Sequence, residues 1–126
     1  AGIIVKSANA ASSAFSYAAG SLTRRPFIAG MPATASFELT SHCNLRCPEC
    51  SSGSGMMQRE RGFMDPALFE RVIRELNPYL FYASLYFQGE PFLHPGLFSF
   101  IRMKENTRII ISTNGHYLDN ANATKT

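Results

Sequence analysis

The stretch Cys43-Asn44-Leu45-Arg46-Cys47-Pro48-Glu49-Cys50 holds all three cysteines of the chain, in a C-x3-C-x2-C spacing. A loop this short brings the sulfurs toward a common point but gives poor geometry for pairing them as disulfides. The spacing therefore points to a metal centre. An iron–sulfur cube contains four irons and usually takes four thiolates, so three thiolates leave one iron open to a ligand from outside the protein. An open iron suits chemistry as well as storage. Zinc is the alternative. A structural zinc site favours four protein ligands, and His42, His94 or His116 would have to supply the fourth. His42 directly precedes the loop, and neither distant histidine shows a recognisable zinc-ligand spacing.

The surrounding sequence alternates strands with helices. In residues 35–40, Ala35, Phe37 and Leu39 alternate with Ser36, Glu38 and Thr40, the period of a half-buried strand. Residues 82–87 set Ala83, Leu85 and Phe87 against Tyr82, Ser84 and Tyr86. In residues 107–112, Ile109 and Ile111 oppose Ile110 and Ser112. The apolar sets are expected to face helices, and the more polar sets an interior that receives a polar ligand. Between the first two strands, Asp65-Pro66 predicts a helix start, with Asp65 as N-cap, Pro66 at the first helical position and Met64 stapled against Phe69. Leu68, Phe69, Val72, Ile73 and Leu76 form the expected buried stripe, and Asn77-Pro78 stops the helix. Residues 51–63 are rich in Ser and Gly and end in Arg59-Glu60-Arg61-Gly62; they read as a long loop of the kind that carries function at strand ends, with the arginines solvated.

Gln88-Gly89-Glu90-Pro91 turns the chain sharply after the second strand, glycine allowing close backbone approach to a ligand. Pro95-Gly96 leads to a second helix carrying Leu97, Phe98, Ile101 and Met103. Asn114-Gly115 after the third strand is a hairpin signal in isolation. The following Asp119-Asn120-Ala121-Asn122-Ala123 favours strand, turn and helix instead. Strands alternating with helices imply right-handed crossovers and a parallel sheet.

Together these residues resemble the radical S-adenosyl-L-methionine (SAM) enzymes, from about residue 32 to the C-terminus. The cysteine loop matches their cluster-binding signature, and Gly89-Glu90-Pro91 and Thr113-Asn114-Gly115 fall where such a barrel places its later motifs. Two positions depart from the pattern: Glu49, where an aromatic residue is common, and Gln88, where the first of two glycines would stand. The resemblance implies an α/β fold, a partial parallel (β/α) barrel made of the first three strand-helix units of a radical SAM core. It implies that Cys43, Cys47 and Cys50 bind a 4Fe-4S cluster whose fourth iron SAM chelates. Gly89 and Glu90 then receive the SAM amino group, and Ser112 and Asn114 bond its ribose or carboxylate oxygens. Arg46 either offsets the negative charge of a thiolate-bound cluster or is simply solvated. One electron, delivered from a donor such as flavodoxin or ferredoxin, cleaves SAM to methionine and a 5′-deoxyadenosyl radical that abstracts a substrate hydrogen. The wording around the cysteines and residues 87–91 is similar to members with a C-terminal auxiliary-cluster SPASM domain, which implies a peptide or protein substrate.

The remaining expectations concern organisation. Of the 126 residues, 45% are hydrophobic and 17% charged, which fits one folded unit and excludes a disordered chain. The net charge of +3 comes from scattered residues and gives no reason to expect nucleic acid as a partner. Residues 1–34 read as an irregular or partly helical arm ended by Arg24-Arg25-Pro26, without a run of about 20 apolar residues that would span a membrane. Residues 35–126 read as the N-terminal, incomplete part of the radical SAM domain. Alone, such a piece is expected to be inactive and to expose a strand edge. Cysteines confined to one loop fit a reducing compartment, the cytoplasm.

Overall fold

The computed structural model describes residues 2–124. Its element order is α1 (Gly2–Thr23), β1 (Thr34–Ser36), α2 (Ser51–Ser54), α3 (Pro66–Leu76), β2 (Tyr82–Ser84), a 3-10 turn (Pro91–Leu93), α4 (Leu97–Arg102), β3 (Arg108–Ile110) and α5 (Asn120–Ala123). The strands form one sheet in the order β1-β2-β3, both pairings parallel, with Ala35, Ala83 and Ile109 in register. This is the α/β arrangement expected from the alternating pattern, three strand-helix units of a partial parallel barrel.

The strands are shorter than the alternation predicts because their ends find other partners. Phe37 N still donates to Ser84 O at 2.8 Å. Beyond it, Leu39 O accepts from Met64 N and Ser41 N donates to Gly62 O, while Thr40 and Phe63 form an antiparallel bridge. The end of the 51–63 connection therefore returns as a flank to β1. Its start is also ordered, since Gly53 N and Ser54 N donate to Cys50 O and close the single turn of α2 where a plain loop was expected.

One face of the sheet packs on α3 and α4. Phe37, Leu39, Ala83, Leu85, Phe69, Ile73, Leu80, Leu97, Phe100 and Ile101 form the buried core, with Val72, Leu76, Ile109 and Ile111 against it. Phe69 joins the two helices, stacked on Phe100 at 4.3 Å between ring centroids and edge-on to Phe37 at 4.9 Å. The α3 start follows the sequence: the Asp65 carboxylate accepts from Ala67 N and Leu68 N, a cap that contributes about 1 kcal/mol. Asn77 closes the helix.

Two apolar residues are not where the periodicity put them. Leu68, expected in the buried stripe, is 41% exposed, on the outer side of the first turn. Phe87, expected to continue the core face of β2, is 74% exposed, because the strand has already given way to the turn at Gly89. Thr40, expected to face the interior ligand space, is instead buried with its hydroxyl on Gly62 O. Asn114-Gly115 does lead from β3 through a turn into α5, capped by the Asp119 carboxylate on Asn122 N.

The arm is partly helical, one helix over Gly2–Thr23 that ends just before Arg24, whose φ is 55°, followed by a non-helical stretch to β1. It docks through its polar residues. Asn9 makes paired hydrogen bonds with the backbone of Met31, and the Lys6 ammonium donates to Asn106 O and lies over the Phe81 ring. Ile3, Ile4, Phe15 and Leu22 face outward. Among the described residues no helix is long and apolar enough to cross a membrane.

Candidate functional site

In a parallel sheet the loops after the carboxyl ends of the strands lie together. Here these loops carry the cysteines, residues 88–90 and residues 112–115, and polar side chains lace them to one another.

Cys43 and Cys50 are half-buried, Cys47 is exposed, and all three are free thiols. The loop is compact by construction. Cys50 N donates to Cys47 O at 3.2 Å, and a Cβ on Gly53 would stand 2.6 Å from Cys47 N. Only glycine lets the turn of α2 lie against the cysteine loop this closely. Arg61 donates to Ser52 O at 2.6 Å and Arg59 pairs with Glu38, while both arginines remain exposed, as solvated charges would. Arg46 and Glu49 are exposed.

Gly89 has φ 76°, and a Cβ there would be 2.2 Å from Thr40 O and 2.7 Å from His42 O. Its neighbour Glu90 donates its backbone N–H to His42 O at 2.8 Å. The end of β2 is thus pressed onto the entrance of the cysteine loop. Glu90 is where the surroundings differ most from the sequence reading. Its carboxylate, expected to stand open to a ligand ammonium, is 1% exposed and already accepts from Thr113 Oγ1 at 2.7 Å, Asn114 N at 2.8 Å and Phe92 N at 3.1 Å. A carboxylate offers about four acceptor sites, so three are taken within the chain. Glu90 fixes the loop after β3 to the loop after β2.

Asn114 completes the lacing, its Nδ2 donating to Asn44 Oδ1 in the cysteine loop at 2.9 Å while its Oδ1 accepts from His116 N. Ser112 lies exposed on the strand side of the same loop. Gln88, a departure from the pattern in the sequence, reaches back to the cysteine loop: its Oε1 accepts from Ser51 Oγ at 2.8 Å, Ser52 Oγ at 3.2 Å and Cys50 Sγ at 3.5 Å. No motif marked that role, although a long polar side chain where glycine would serve was the available signal.

The donor chemistry fits a thiolate-held iron–sulfur cluster: three thiols on one tightly cradled loop, with backbone and amide groups close by. Among the described residues no three Cys, His, Asp or Glu side chains converge on a point for a single metal ion. His94 is also committed elsewhere. Gly96 N donates to its Nδ1 at 2.9 Å, which leaves the proton on Nε2, 3.0 Å from Met64 O. His42 stacks on Phe63, and His116 lies edge-on to Tyr117.

No family model matches the chain. It is 37% identical over 87 residues to the S-adenosyl-L-methionine-dependent 2-deoxy-scyllo-inosamine dehydrogenase of Niallia circulans, covering 64% of this chain and 34% of that protein. It is 35% identical over 85 residues to the tungsten-containing aldehyde ferredoxin oxidoreductase cofactor-modifying protein of Pyrococcus furiosus, covering 64% and 23%. The chain thus spans about a third or less of the length of these curated relatives. Among solved structures, BtrN in complex with AdoMet and 2-DOIA superposes with a TM-score of 0.68 at 31% identity, over 75% of this chain and 41% of BtrN. SuiB of Streptococcus suis bound to S-adenosylmethionine shares the fold, with a TM-score of 0.63 at 19% identity over 84% of this chain and 24% of SuiB.

Proposed function

We propose that residues 35–126 are the N-terminal part of a radical SAM enzyme domain, an oxidoreductase in which Cys43, Cys47 and Cys50 hold a 4Fe-4S cluster and SAM occupies its open iron. The observation that carries this reading is the cysteine loop at the carboxyl ends of the parallel strands, tied there by the Glu90 N–H on His42 O and by the Asn114–Asn44 bond. The similarity to proteins whose names or complexes include SAM supports it. A cluster held by these thiols would supply the one-electron reduction that splits SAM into methionine and a 5′-deoxyadenosyl radical able to abstract a substrate hydrogen.

The chain's own residues bind and orient. The three thiols supply the anchors. Gly89, Ser112 and Asn114 form the wall that faces SAM, and Glu90 holds that wall in place from behind. Arg46, exposed on the loop, offsets the negative charge of a thiolate-bound cluster. An electron donor such as flavodoxin or ferredoxin reaches the exposed side at Cys47. The substrate is a peptide or protein, as the sequence resemblance implies.

The test is reductive SAM cleavage by full-length protein, loaded anaerobically with iron and sulfide and supplied with dithionite. Methionine and 5′-deoxyadenosine are expected in equal amounts. Recovery of intact SAM from protein with a full cluster would leave a non-catalytic iron–sulfur module, and uptake of zinc in place of a cluster would leave a non-catalytic zinc module.

A further inference from the structure

Gln88 has no part in the function proposed above, yet its side chain is the only one among the described residues recorded in hydrogen-bond contact with a cysteine sulfur. The amide oxygen gathers three donors, the Cys50 thiol and the hydroxyls of Ser51 and Ser52, with Ser52 fully buried. Which end of an amide faces its neighbours follows from the protons those neighbours carry. A thiol offers a proton, so the oxygen faces it.

A cysteine that ligates iron does so as a thiolate. The Cys50 proton is then gone, and an amide oxygen 3.5 Å from a negatively charged sulfur is repelled. A half-turn of the terminal amide places Nε2 there instead. Its two N–H groups serve Cys50 Sγ and the nearer hydroxyl, that of Ser51, and a hydroxyl accepts as readily as it donates. At least two of the three contacts survive the flip. The flip takes the amide acceptor away from the buried Ser52 hydroxyl, 3.2 Å away, and keeps the contacts to Cys50 and Ser51.

We propose that Gln88 is a positioning and tuning residue for the cluster, its Nε2 donating a hydrogen bond to the Cys50 sulfur and raising the reduction potential of the bound cluster. The physical basis is that a donor drains charge from the ligand sulfur and so favours the reduced, more negative form. The inference rests on the cluster reading of Cys43, Cys47 and Cys50. It gives a role to the departure from a glycine pair at this position.

The experiment measures the midpoint potential of the reconstituted cluster in full-length wild-type, Gln88→Met and Gln88→Glu proteins, following the cluster signal through a dye-mediated redox titration. Gln88→Met keeps the length of the side chain and removes the donor without adding charge. Gln88→Glu keeps an acceptor for both serine hydroxyls, and so the anchor, while removing the donor. The expected result is a potential lower than wild type in Gln88→Met and lowest in Gln88→Glu, at unchanged iron per chain. A Gln88→Met potential equal to wild type, with or without a fall in Gln88→Glu, would overturn the proposal. If Gln88→Met fails to fold, a Gln88→Glu potential equal to wild type does the same. Failure of the wild type to take up any cluster would instead contradict the proposed function, so the two failures are distinguishable.

Discussion

Replacing Cys47 by Ala is expected to abolish SAM cleavage while leaving the fold intact. Cys47 is exposed, makes no disulfide and contributes nothing to the buried core, so its loss leaves the packing of Phe37, Phe69 and Phe100 unchanged. What it removes is one of three protein anchors for the cluster. Changes merely adjacent to a metal ligand typically cost about 10–100-fold in affinity or activity, so loss of a ligand itself should exceed about 100-fold. Cys43→Ala and Cys50→Ala should behave alike. The check is iron content beside circular dichroism: a folded protein depleted of iron is predicted, and a Cys47→Ala protein with a full cluster and normal cleavage would refute the ligand assignment.

Glu90→Ala should produce the largest loss of stability among the site substitutions. The carboxylate is enclosed, and removing it strands the N–H groups of Phe92 and Asn114 and the Thr113 hydroxyl. Each buried group left without a partner costs about 1–3 kcal/mol, and the cavity adds to this. A loss of about 3 kcal/mol or more is expected in urea denaturation of the metal-free protein. Cluster content of the folded protein should remain, since Glu90 is not an iron ligand in this account. SAM affinity should fall, because the loop carrying Asn114 loses its tether. Glu90→Gln should lie between, since an amide inevitably turns its NH2 toward a backbone N–H. Unchanged stability and SAM affinity in Glu90→Ala would show that these ties do not matter.

Much of the fold was legible because it rests on local chemistry. Asp65-Pro66 sets a capped helix start through backbone donors that lie within three residues, and Ala83, Leu85, Ile109 and Ile111 take the core face that alternation assigns them. The position of the cysteine loop at a strand end followed from the same reasoning. What stayed hidden depends on contacts between residues far apart in the chain. Phe100, absent from the expected helix stripe, is buried because Phe69 from another helix stacks on it. The enclosure of Glu90 needs Thr113 and Asn114, 23 and 24 residues away. Gln88 shows its role only once α2 brings Ser51 and Ser52 beside it. The polar docking of α1 was equally hidden, since pairing Asn9 with Met31 and Lys6 with Asn106 inverts the usual rule that the apolar side of a helix faces inward.

Iron and acid-labile sulfide per chain, measured on full-length protein purified and reconstituted without oxygen, bear on all of these expectations at once. About four of each are expected to depend on Cys43, Cys47 and Cys50 and to be lost when any of the three is replaced, over and above the iron and sulfide of any auxiliary cluster. One zinc per chain with no sulfide, or well-folded protein that takes up neither iron nor sulfide, would contradict the cluster reading.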